Sequence, residues 1–214
     1  SDGTPIHVAA TITLRADEGA KGSLLFVEEG EGRYLATPKV RLEIAQGANI
    51  EWTRASLNSD DAYSVIDFIS KQAAESHLHL ASYQSGGAIV RSHLPMEVAG
   101  EEAETKLDAL NIGREQQHLA HVVDMAHQVP NCDSHQQIKN IIKDRAMALF
   151  DGEIHVYKDA QKIDADQMTR SLILDDGART LTIPRLEIYA DDVQCTHCAT
   201  VGFIDSEHIF YLQT

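Results

Sequence analysis

Apolar and polar residues alternate in short runs along the whole chain: IHVAATI at 6–12, SLLFV at 23–27, VRLEI at 40–44, HLHL at 77–80, AIVR at 88–91, EIHVY at 153–157, SLIL at 171–174 and LTIPRLEI at 181–188. A period of two is the signature of strands that bury one face. The corners between these runs share a chemistry. A polar or acidic residue is followed by small ones in EGA (18–20), QGA (46–48), SGGA (85–88) and DGA (176–178). Glycine there supplies positive φ, and alanine fits a crowded bend. Short strands joined by repeated small-residue corners predict stacked coils, a parallel β-helix or another all-β solenoid, with a sandwich as the competing arrangement. Two segments resist this reading. DDAYSVIDFISKQAAE (60–75) and REQQHLAHVVDMAH (114–127) carry the Ala, Gln and Leu of helices, yet each contains stretches compatible with strands. Pro130 and Pro184 are expected at strand boundaries, where a missing N–H costs little.

Composition narrows the functional classes. Over 214 residues the chain carries 18 basic and 33 acidic residues, a formal charge of −15. That charge argues against a nucleic-acid backbone or an anionic membrane as the main partner. No apolar run approaches the roughly 18 residues of a membrane-spanning helix. Three cysteines, an odd and small number, suit free thiols in a reducing compartment, so a cytoplasmic setting is expected. With no linker of low complexity, residues 1–214 are expected to form one domain. No phosphate-binding loop occurs, so this chain is not expected to bind ATP and any ATP hydrolysis is expected from a partner; no nucleophile elbow occurs either.

The chemistry concentrates near the end, in DDVQCTHCATVG (191–202). If VQCTH is a strand, Val193, Cys195 and His197 face one way, and Gln194, Thr196 and Cys198 the other. Residues i and i+2 lie about 6.5 Å apart, so thiolate and imidazole can share an Fe, Zn or Cu(I) ion. Cys198 would have to bend round to join them or act across a dimer. The bland alternative is that a strand cysteine beside Val and Thr is simply packed. A thioredoxin-like pair needs a helix N-terminus, and haem attachment needs the histidine after the second cysteine; neither fits. Other combinations are minority readings: a zinc site using Cys132 with His127 or His135, or a helical pair of His118 and His121 near His127. The acidic pairs Asp60–Asp61, Asp175–Asp176 and Asp191–Asp192 are expected to brace corners. Trp52 is expected just after a strand.

DGEIHVYKDAQKIDADQMTRSLIL (151–174) followed by PRLEIYADDVQCTHCATVG (184–202) and FIDSEHIFYL (203–212) resembles the SufB/SufD family of iron–sulfur cluster assembly proteins, with HQVPNCDSHQQIK (127–139) and DRA (144–146) a weaker match upstream. The ADDV-x-C-x-H-x-ATVG form is closer to the SufD branch. The resemblance implies a right-handed parallel β-helix that works as a scaffold without chemistry of its own. It would pair with a SufB-like partner and the SufC ATPase and support a transient iron–sulfur cluster at the partner interface, with His197 linked to cluster formation. Two departures stand out. The family's helical regions before and after the core are not represented between Ser1 and Thr214, which leaves a trimmed core or a short form and puts direct SufC docking in doubt. Cys198 stands where SufD-like proteins have Gly and SufB-like proteins have Glu. In isolation a homodimer is expected. The competing functions are a stand-alone metal or cluster carrier using Cys195, His197 and Cys198, and a polysaccharide-active β-helix, which the acidic charge and 6% aromatic content disfavour.

Overall fold

A rung of this protein is one strand in each of two parallel sheets, and the chain climbs by repeating it. The computed structural model describes residues 6–203 together with 210 and 211. It holds sixteen strands in about seven turns of a parallel β-solenoid. One sheet comprises β1 (Ile6–Val8), β2 (Thr11–Ala16), β4 (Tyr34–Ala36), β5 (Lys39–Ile44), β7 (Tyr63–Gln72), β9 (Ile89–Val98), β11 (His118–His127), β13 (Met147–Val156) and β15 (Arg179–Ile188). The other runs β3 (Lys21–Gly30), β6 (Asn49–Asn58), β8 (His77–Gln84), β10 (Glu104–Gly113), β12 (Asp133–Ile142), β14 (Ile163–Ile173) and β16 (Val193–Phe203). Every pairing is parallel and in register, but the step varies. Tyr63 faces Ile89, 26 residues on, whereas Met147 faces Arg179, 32 on. A drifting period of that kind conceals the repeat at the level of sequence.

Corner chemistry explains the stacking. Gly19, Gly47, Glu75, Glu102, Asn131 and Lys162 all take positive φ at successive copies of one corner. Their amides form a ladder from coil to coil, among them Gly47 N to Ala74 O at 3.0 Å and Glu102 N to Asn131 O at 3.0 Å. The residue after most of them is buried, and mostly small: Ala48, Ser76, Ala103, Cys132 and Ile163. Cys132 is therefore a corner filler, its thiol directed to the carbonyls of Gly100 and Pro130 at 3.3 Å each. At the opposite corner the Asp175 carboxylate accepts the Asp144 amide at 2.7 Å, the bracing expected of Asp175, and Asp144 accepts the amide of Glu115 at 2.8 Å in the same way. Asp60 instead pairs with Arg114 at 3.0 Å.

Both ambiguous segments are strands, β7 and β11, with alternate residues buried. Pro184 lies inside β15 rather than at its boundary; β15 ends its sheet, where a missing N–H is tolerated. Trp52 sits within β6, 2% exposed, between Phe26 and Phe68 with ring centroids at 6.0 and 5.3 Å.

The core is apolar down most of its length, but a polar seam also runs through it. Glu28 accepts from Arg54 Nε at 2.6 Å and from Ser64 at 2.8 Å, and Arg54 reaches Ser92 at 2.7 Å. Gln84 also donates to Ser92, at 2.6 Å. The seam continues from Asn111 to Asn140 at 2.7 Å, Asn140 to Ser171 at 2.8 Å and Ser171 to Thr180 at 3.1 Å. Desolvation lowers the Arg54 pKa, and Glu28 opposes that fall. Removing one partner of such a pair strands a buried charge. Glu28→Ala is expected to destabilise the chain by about 3–5 kcal/mol in chemical denaturation, and the double replacement Glu28→Leu/Arg54→Met by markedly less.

Candidate site on the last coil

Register places the end-of-chain residues. In β16, Val193 pairs with Ile163, Cys195 with Ala165, His197 with Gln167 and Cys198 with Met168. Because paired residues of in-register parallel strands project to the same face, and Ile163, Ala165 and Gln167 are buried, Val193, Cys195 and His197 face inward. Val193 and Cys195 pack against the core, with Cys195 half-buried and His197 exposed. Cys198 is exposed on the outer face with Met168. The last strand thus brings Cys195 and His197 together on one face and sends Cys198 to the other. β16 ends its sheet, so among the described residues its outer backbone edge is unpaired.

Electrostatics bear on ligation. Burial pushes the Cys195 thiol up, and the negative charge of Asp164 adds to the effect. The resting group is a thiol, so binding a cation there releases a proton. Cys132 is raised in the same sense, first by burial, which suits a corner filler. The minority metal readings do not assemble. His121 and His127 are fully buried at separate points of the interior, and His118 is exposed. His127 bonds Ser134 at 2.9 Å, while His135 faces outward against Asp166. One grouping escaped the sequence reading: Glu153, His155 and Glu187 on neighbouring strands bring one ligating atom each within 4.8 Å of one another. There His155 already bonds Glu187 at 3.2 Å, and Arg185 bonds Glu153 at 3.2 Å.

Also missed were the residues beneath His197. Gln167 and, one coil lower, Gln136 are buried inward residues whose side-chain N and O lack hydrogen-bond partners among the described residues. Their phase was the available signal: Gln136 alternates with Ser134 and Ile138, both buried.

Fold and site together define a class: a parallel β-solenoid scaffold that, at the last coil among the described residues, presents a half-buried thiol and an exposed imidazole on one face. The profile of the SUF-system iron–sulfur cluster assembly family, SufBD core domain, matches residues 2–214, and the chain belongs to that family. It is 29% identical over 201 residues to the iron–sulfur cluster assembly protein SufD of Escherichia coli, covering 92% of this chain and 47% of that protein. It is 27% identical over 207 residues to a SufBD family protein of Synechocystis, covering 96% and 45%. Against the chloroplastic protein ABCI7 of Arabidopsis thaliana it is 28% identical over 208 residues, covering 94% and 43%. The chain thus spans rather less than half the length of these curated relatives. No helix among the described residues is long and apolar enough to cross a membrane.

The interior histidines make the fold sensitive to acid. Asn111 Nδ2 faces His121 Nδ1 at 3.4 Å and Ser82 Oγ lies 2.9 Å from Nε2, an arrangement for neutral imidazole. Desolvation, then the nearby Arg54 charge, lowers the His121 pKa to about 3, and desolvation lowers that of His127 to about 4. Between those values and the ordinary 6.5 the unfolded chain binds protons that the folded chain refuses, so stability falls as pH falls, by up to about 1.4 kcal/mol per pH unit for each histidine. Denaturation midpoints measured from pH 7 to pH 4 are expected to drop, and His121→Gln to make the drop shallower by about one proton.

Proposed function

We propose that this chain is a SufD-like scaffold on which an iron–sulfur cluster, its cargo, is assembled against a SufB-like partner, with the SufC ATPase altering that interface. The observation that carries the reading is the shared inward face of Cys195 and His197 on a strand that ends its sheet. An unpaired strand edge offers N–H and C=O groups for β-augmentation by another chain. A partner docked there would bring its own ligands toward the imidazole. The thiol, held protonated by burial, serves as a ligand only when a cation displaces its proton. Cys198, on the opposite face, is assigned no share in this site; its outward position suits a separate contact. Hydrolysis of ATP belongs to the partner, and the role of this chain is to hold and orient.

Anaerobic reconstitution with iron and sulfide tests the reading. With a SufB-like partner present, cluster absorbance is expected from the native chain, reduced at least about tenfold in His197→Ala and less in Cys195→Ser. Undiminished absorbance in His197→Ala contradicts the proposal. Full absorbance from the chain without a partner points to a stand-alone carrier instead.

A further inference from the structure

We infer that Gln167 is a positioning residue that fixes the ring orientation and tautomer of His197, an inference that rests on the role just proposed for that histidine. The two are paired in the β14–β16 ladder, on strands about 4.8 Å apart. The inward column they belong to reads Trp52, Leu80, Leu107, Gln136, Gln167, His197 from coil to coil. With Leu24 paired beneath Trp52, it is apolar for four coils and turns to amides only in the two beneath the histidine. Gln167 is 2% exposed and Gln136 is fully buried, and neither amide has a partner among the described residues.

Burying an unmatched polar group costs about 1–3 kcal/mol, and the leucines lower in the column show that an apolar residue fits. Gly152, in the facing sheet, lies in close packing with both side chains: a Cβ built there would meet Phe150 Cζ at 2.3 Å and Gln167 Nε2 at 3.0 Å. The terminal amide carries its acceptor and donors on one planar group, so a flip about its last torsion turns the carbonyl toward the imidazole of the next coil. By accepting one ring N–H it assigns the proton to that nitrogen and leaves the other nitrogen's lone pair for a cation, as outer partners do for ligating histidines generally. Gln136 occupies the same inward column one coil below Gln167.

Long-range ¹H–¹⁵N correlation spectra of the histidine-labelled chain test this, since ring ¹⁵N shifts report the tautomer directly. The native chain is expected to show His197 as a single tautomer. Gln167→Leu should move its two ring shifts toward the averaged values of free imidazole, and Gln167→Glu, which keeps an acceptor oxygen, should restore the split. Gln167→Met, closer in length, replaces the leucine variant if that one does not fold. In reconstitution with the SufB-like partner, Gln167→Leu is expected to lose about tenfold in cluster yield and Gln167→Glu to recover most of it. Identical His197 ring shifts in the native and Gln167→Leu chains overturn the inference. If the shifts respond while His197→Ala still assembles cluster normally, the contact stands and the proposed function falls.

Discussion

The structure depends on parallel stacking in register. Once each coil lies directly over the one before, every inward position becomes a column, and the side chain at each level is covered by the next. The constraint is met by the corners, where a residue of positive φ and a small residue recur and the backbone amides form their own ladder. Within the described residues, the last coil has a neighbour on one side only. There the columns end in Val193, Cys195 and His197, and the same stacking that hides Ala165 and Gln167 leaves the imidazole exposed.

Two polar features of the interior differ in kind. The seam from Glu28 through Arg54, and on from Asn111 to Thr180, is largely satisfied by hydrogen bonds between neighbouring coils. Satisfied networks of this sort rigidify a core. The column of Gln136 and Gln167 is unsatisfied and lies under His197. Structural need accounts for the first feature; the second is accounted for by the group above it. The same contrast separates the thiols, since Cys132 fills a corner while Cys195 sits half-covered at the end of the stack.

Much of this was legible in sequence because burial alternates with period two wherever a strand has one wet face. The strands and the separation of Cys195 and His197 from Cys198 follow from that period; the corners were legible in the recurring Gly and Ala, and the choice of a β-helix over a sandwich rested on the family resemblance. What misled were inward positions occupied by polar residues. Ser64 and Ser70 in β7, and His121 and His127 in β11, are buried, so the apolar half of the alternation is broken and helix-forming Ala and Gln dominate the impression. Trp52 lies inside β6, where its inward neighbours Arg54 and Ser56 break the apolar alternation that marks a strand. Partners for Ser64, Arg54 and His121 come from coils 36–39 residues away, a distance at which local pattern carries no information. Glu153, His155 and Glu187 likewise meet only through the pairing of β13 with β15.

The central claim is that the last strand, Val193–Phe203, is where this scaffold meets its partner. Hydrogen–deuterium exchange of the chain alone and with a SufB-like partner tests it most directly. Slowed exchange across Val193–Phe203, with the β3 amides at the other end of the sheet unchanged, is the predicted result. Unchanged exchange in Val193–Phe203 together with protection confined to β3 would contradict it.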